Sequence, residues 1–158
     1  MQKLSQTINL KKIPTYIYVE KSMYLKFASK LKYLRVMNNV TLMELSSALG
    51  ISINTLKVLE SGGGRCKFYY YYLYCRQFGL YSYKYLNYDK YLGTNTINDK
   101  VLWLKAYCGF KTTFDVEKYI GAYYGSIYDT ARRGHKQIER INSLLDEKIN
   151  KIKKEIAP

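Results

Sequence analysis

Ser52, Asn54, Thr55 and Lys57 bring two hydroxyls, a carboxamide and an ammonium into one short stretch directly after Gly50-Ile51. These groups hold phosphate oxygens and base edges by hydrogen bonds and charge; they are not a set that makes or breaks covalent bonds. No other constellation competes with them. The one histidine, His135, stands beside a helix start with no acid at metal-ligand spacing, and reads as a solvated or capping residue. Gly62-Gly63-Gly64-Arg65 lacks the Gly-Lys-Ser/Thr ending and the preceding strand of a phosphate loop, so it reads as a turn. No nucleophile, base and orienting group can be assembled. We therefore expect no catalytic residue, no metal and no cofactor, and a protein that is not an enzyme.

The elements that must position these side chains can be read around them. Thr41 with Glu44 three residues on forms a capping box that starts one helix, Gly50 supplies the turn that ends it, and Ser52 caps the next helix. Ser46 and Ala48 are small enough for two helices to cross closely. Leu45, Leu49, Ile51, Leu56 and Leu59 are spaced as apolar pegs. The spacing predicts a helix-turn-helix from Thr41 to Gly62, with the polar residues outside at the start of the second helix. Such a helix is shaped for a DNA major groove, and its first turn favours phosphate. Upstream, Leu25, Phe27, Ala28, Leu31, Leu34 and Val36 predict a helix over 23–37, and Phe68 to Phe78 reads as a helix stopped at Gly79.

Charge agrees with a polyanionic partner. The 158-residue chain has a formal charge of +14 and a pI near 9.6. Residues 1–94 carry 14 basic against 4 acidic side chains and residues 95–158 carry 12 against 8, so the amino-terminal half should hold phosphate more strongly. An apolar fraction of 47% suffices for a packed core, and the length allows one domain of usual size or two very small ones. No window of uninterrupted apolar residues suits a membrane span, and the first twelve residues lack the pattern of a secretory signal. Cys66, Cys75 and Cys108 show no Cys-x-x-Cys spacing and read as reduced, mostly buried thiols of a cytoplasmic chain. Of 19 tyrosines, ten fall between Tyr69 and Tyr91. With abundant Lys, Ile and Asn they read as the usage of an AT-rich genome, some of them core and some surface.

The segment resembles the phage-repressor-like helix-turn-helix family, the Cro or XRE type. The residues carrying the resemblance are Leu31-x-x-x-Arg35, Thr41-x-x-x-Leu45-Ser46-x-x-Leu49-Gly50-Ile51-Ser52 and Thr55-Leu56-x-x-Leu59-Glu60-x-Gly62, with Phe78-Gly79-Leu80 closing the trailing helix. They cover residues 25–80. The resemblance implies that Arg35 and Glu60 form a structural ion pair fixing the first helix against the reading helix. It also implies base-edge readers at Ile53, Asn54 and Val58, of which only Asn54 can hydrogen-bond, to adenine. The remaining DNA contacts would be to phosphate, from Thr41, Ser52, Thr55, Lys57, Arg65 and Lys67.

The chain repeats itself at an offset of 71. Leu31 falls on Leu102, Thr41 on Thr112, Glu44 on Asp115, Leu45 on Val116 and Gly50 on Gly121. A second helix-turn-helix is expected over 101–134, with Ser126, Tyr128, Thr130, Arg132, Arg133 and Lys136 facing DNA and Asp129 opposing phosphate. Ala106 stands where the first copy has Arg35. From His135 to Ile156 a long helix carries Ile138, Leu145 and Ile152 every seven residues, and Asn142, Ile149 and Ile156 likewise. The pattern has two readings: a short coiled coil that makes a homodimer with Asn142 fixing register, or a stripe that covers the second domain's own core, as Ile141 and Leu144 suggest.

The expected architecture is mainly α: an arm with a short strand (1–22), a helix-turn-helix domain (23–86), a linker (87–97) and a second helix-turn-helix-like domain with a long carboxy-terminal helix (98–158). Alternation at Thr15–Val19 and Leu80–Leu86 predicts a small two-stranded sheet, although families with this motif often place a helical turn at the second site. The expected function is binding of double-stranded DNA by a cytoplasmic, repressor-like regulator of a phage, plasmid or other mobile element, with no membrane partner. The alternative is a protein- or RNA-binding module on the same scaffold, such as an inhibitor of a host defence nuclease or a conjugation accessory factor.

Overall fold

The computed structural model describes residues 21–64, 66–128 and 135–156, with side chains from 25 onward in the first stretch and from 137 onward in the last. The expected strand at 15–19, and Arg65, Asp129, Thr130, Arg132 and Arg133, lie outside the described residues, as does the side chain of Lys136. The fold is mainly α-helical, with no strand among the described residues. The chain divides into two units, one over Tyr18–Tyr91 and one that contains Leu92–Pro158.

The amino-terminal unit contains α1 (Lys21–Met37), α2 (Leu42–Leu49), α3 (Ile53–Ser61), α4 (Phe68–Gln77), α5 (Ser82–Tyr85) and a 3-10 turn at Tyr88–Lys90. Thr41 and Glu44 form a reciprocal capping box on α2. Gly50 then turns left-handed at φ 68°, and Ser52 accepts from the Thr55 N–H to open α3. Gly62 ends α3 at φ 69° and also permits a close approach: a Cβ there would lie 3.1 Å from the Leu25 side chain. Phe27, Leu31, Leu45, Leu56 and Leu59 fill the core. Tyrosine completes it. The Tyr88 ring centroid is 5.8 Å from that of Phe27 and 5.2 Å from that of Phe68, and Tyr71 meets Phe27 edge-on at 5.6 Å.

A polar network crosses this core. Arg35 Nε and Nη2 donate to Glu60 Oε2 and Oε1 at 2.7 and 2.9 Å, and Nη1 donates to the Val40 carbonyl at 2.8 Å. The Tyr74 phenol lies 2.7 Å from Glu60 Oε2 and 2.8 Å from the Leu31 carbonyl, its one proton serving two acceptors. Both charged side chains are largely buried, at 13% and 6% exposure.

One expectation is corrected here. Residues 80–86 are not a strand. Ser82 and Leu86, one helical turn apart, face the core, and Tyr85 OH donates to the Lys30 carbonyl at 2.9 Å. The alternation of tyrosine there reflected residue type and not burial. The division between the two units falls at Tyr91/Leu92, within the stretch read as a linker over 87–97; at its two ends Tyr88 packs in the first core and Ile97 is fully buried as the first residue of the next helix.

The carboxy-terminal unit contains α6 (Ile97–Cys108), α7 (Thr113–Ile120), a helical segment described over 126–128, and α8 (His135–Ile156). The bounds of α7 are those of α2 moved by 71 positions, and Thr112 with Asp115 repeats the capping box. Gly121 repeats the left-handed turn. In α8, Ile138, Ile141, Leu145 and Ile149 are buried. Of the two readings of the stripe Ile138, Asn142, Leu145, Ile149, Ile152 and Ile156, a homodimer seam or a cover for the unit's own core, this burial agrees with the second. Ile152 and Ile156 are half-buried, and Asn142 Oδ1 accepts from Lys100 Nζ at 2.9 Å. Asp146 completes this site at 3.0 Å from the same ammonium.

Arg35→Ala should lower unfolding free energy by about 3 kcal/mol, because it strands the Glu60 carboxylate inside the core; Lys57→Ala should change it by less than about 0.5 kcal/mol. Urea titration measures both, and equal losses would contradict the assignment of Arg35 to the scaffold.

Alkaline pH should destabilise the fold. Burial pushes the Cys66 thiol up from 9.0 to about 11 and that of Cys75 to about 12. Burial, and then Glu60, push the Tyr74 phenol upward too. Because the folded state holds these protons longer than the unfolded chain, their stabilising contribution is complete below pH 9 and is lost as pH rises toward 12. The thermal midpoint should stay level from about pH 7 to 9 and fall above it; a midpoint that stayed unchanged from about pH 9 to 12 would refute this.

Candidate nucleic-acid interface

The start of α3 is built for donation outward. Ser52 lies in extended backbone and directs its hydroxyl to the helix: Oγ accepts from the Thr55 N–H at 3.1 Å and donates to Thr55 Oγ1 at 2.9 Å. The first-turn N–H groups of Ile53 and Asn54 have no acceptor within the helix, and with the helix dipole they favour an anion. Ser52, Asn54 and Lys57 are exposed, and Thr55 and Ile53 are half-buried. Thr41 is also exposed, but its Oγ1 accepts from the Glu44 N–H, and the exposed Glu44 carboxylate stands beside it. That negative charge weakens any phosphate contact from Thr41.

Val58 is placed differently from its expected role. It is half-buried, and a Cβ on Gly64 would meet its Cγ1 at 3.2 Å, so it packs against the glycine turn that follows α3. Lys67 is half-buried, with Nζ 5.8 Å from the Tyr70 ring centroid. The expected contacts thus separate into an exposed group at the opening of α3 (Ser52, Asn54, Lys57), the exposed Thr41 engaged in capping α2, and the half-buried Ile53, Thr55, Val58 and Lys67.

The corresponding opening in the carboxy-terminal unit is filled. Glu117, 2% exposed, accepts from the Gly125 N–H at 3.0 Å and the Ile127 N–H at 2.8 Å. Ser126 N–H donates to the Tyr123 carbonyl at 3.0 Å. The N–H groups of Gly125, Ser126 and Ile127 are spent, two of them on a carboxylate that repels phosphate. Ser126, expected to face DNA, is buried and its hydroxyl donates to the Tyr123 carbonyl, which corrects that assignment. Tyr128 is exposed.

Sequence patterns missed Glu117 because its partners are backbone N–H groups, which leave no residue signature. They also missed a surface stack in the first unit, where the Arg76 guanidinium lies 4.3 Å from the Tyr81 ring centroid and Tyr83 stacks on the same ring at 5.5 Å. Among the described residues no group of His, Cys, Asp and Glu could hold a metal ion, and no helix is long and apolar enough to cross a membrane. Burial also holds the Cys108 thiol up at about 11, which leaves it a poor nucleophile. No protein-family model matches the chain, and neither do curated proteins or solved structures.

Proposed function

We propose that the amino-terminal unit is a helix-turn-helix module of the phage-repressor type that binds double-stranded DNA through the start of α3, as a cytoplasmic repressor-like regulator of a mobile element. The observation that carries this is the pairing of an open, exposed helix start (Ser52, Asn54, Lys57) with a buried bidentate pair that holds that helix at a fixed angle. The charge of +14 supports a polyanionic ligand. Direct readout rests on Asn54, since Ile53 offers only an apolar contact and Val58 is engaged with the glycine turn. Affinity is accordingly weighted toward phosphate, and sequence discrimination toward one base step. The carboxy-terminal unit repeats the local scaffold but closes its helix opening with Glu117, so the two units divide their tasks.

A second reading, a protein-binding module, is favoured by apolar side chains exposed on α1 and α2: Tyr33, Val36, Met37 and Met43, at 51–69% exposure.

Titration of binding to random duplex DNA against salt separates the two. The DNA reading expects affinity that falls steeply with salt. Lys57→Ala should reduce the logarithmic salt slope by about 1, and Asn54→Ala should weaken the best site roughly tenfold with little change on random duplex. Absence of duplex binding at low salt would sink this reading and leave the protein-binding one.

A further inference from the structure

We propose that the carboxy-terminal unit carries a separate site for single-stranded nucleic acid, in which unpaired bases stack on the rings of Phe114, Tyr123, Tyr124 and Tyr128. Tyr123 and Tyr124 are each 79% exposed, Phe114 45% and Tyr128 46%. Phe114 meets Tyr124 edge-on at 4.9 Å, so the first ring props the second.

Three observations select this occupant. The first is the kind of apolar surface. Every large hydrophobic side chain exposed in the described part of this unit is aromatic: Phe114, Tyr119, Tyr123, Tyr124 and Tyr128. The exposed set of the other unit contains leucine, valine and methionine as well. Each of these rings offers the flat π-face on which a base stacks.

The second is charge. Asp115 is turned onto the Thr112 N–H at 2.9 Å, and Glu117 is buried on Gly125 and Ile127, while Lys118 is exposed one helical turn from Phe114. Glu117 disfavours phosphate at the N–H groups that it holds, whereas Lys118 is exposed on the same helix as Phe114, so in this site the bases carry the contact at the rings and the phosphates meet the ammonium.

The third is rigidity. Ala122 N–H donates to the Glu117 carbonyl at 2.8 Å, and Glu117 Oε1 takes the Gly125 N–H, so both ends of the tyrosine turn are fastened to α7. The rings are held out by a fixed backbone, and binding needs little further ordering. This site does not rest on the duplex reading of the first unit.

The test uses the full chain and a fluorescent oligothymidylate of about twelve nucleotides, within the site sizes such surfaces cover. Wild type should bind it. Tyr123→Ala with Tyr124→Ala should weaken binding at least tenfold, while Tyr123→Phe with Tyr124→Phe should retain it, because the ring and not the hydroxyl stacks. Both variants should keep the wild-type thermal midpoint, and Asn54→Ala should leave single-strand binding unchanged. No binding of oligothymidylate by wild type, equal affinity in the alanine variant, or equal affinity for an abasic strand of the same length would each overturn the proposal. An acidic protein bound at this face in place of oligothymidylate would overturn it as well.

Discussion

The Arg35–Glu60 pair is the constraint on which the amino-terminal unit depends, because its contacts reach four segments at once. Arg35 belongs to α1, Glu60 to α3, Tyr74 to α4, and the Val40 carbonyl to the connection before α2. An ion pair taken out of water is worth keeping only when its hydrogen bonds are complete. Here the guanidinium satisfies both carboxylate oxygens and a carbonyl, and Tyr74 adds a phenol to the same carboxylate. The bidentate fork also restricts rotation, which a point-charge lysine would not. The side chains exposed at the start of α3 therefore owe their direction to residues that never face a ligand. Gly62 adds to this by letting α3 end against Leu25 and Ala28.

The carboxy-terminal unit meets the same mechanical need by other means. The helix over Thr113–Ile120 copies the bounds and cap of Leu42–Leu49, yet Ala106 stands where Arg35 would pair. Glu117 takes over the work of fixing the next helix by gripping its first-turn N–H groups directly. That solution has a functional consequence. A helix start whose donors are bound to a buried carboxylate has neither free N–H groups nor a favourable potential for phosphate. Repetition of the local code thus does not imply repetition of the interface.

What could be read from residues alone follows from how local each cause is. Capping boxes at Thr41 and Thr112, left-handed turns at Gly50 and Gly121, and the span of the last helix were legible, since each is set within a few neighbouring residues. The stripe on α8 was legible as a stripe but not as to its partner, because a coiled-coil seam and a core-facing face share one periodicity; the Lys100 bond to Asn142 agrees with the core-facing one. The tyrosine-rich segment misled at residues 80–86. Tyrosine is both apolar and polar, so its alternation carries no information about which side is buried. Glu117 and the exposed turn beside it were not legible at all, since a carboxylate accepting from backbone amides has no spacing rule.

Tyrosine usage acquires a different meaning once burial is known. A base composition that favours tyrosine codons would raise abundance without regard to position. In the structure the residue falls into two environments. Tyr71, Tyr74 and Tyr88 are fully enclosed and supply the bulk of a small core, where an aromatic ring removes more area from water than an aliphatic side chain. Tyr123 and Tyr124 are four-fifths exposed on a turn fastened to α7. Rings exposed on a mobile loop would lose much of any contact energy to ordering. Rings presented from a fixed backbone, with two torsions each to fix, lose little of it. The same residue type therefore contributes volume at some positions and presented surface at others, and at Tyr123 and Tyr124 it is the carboxylate of Glu117, buried beneath the turn, that fixes the backbone presenting it.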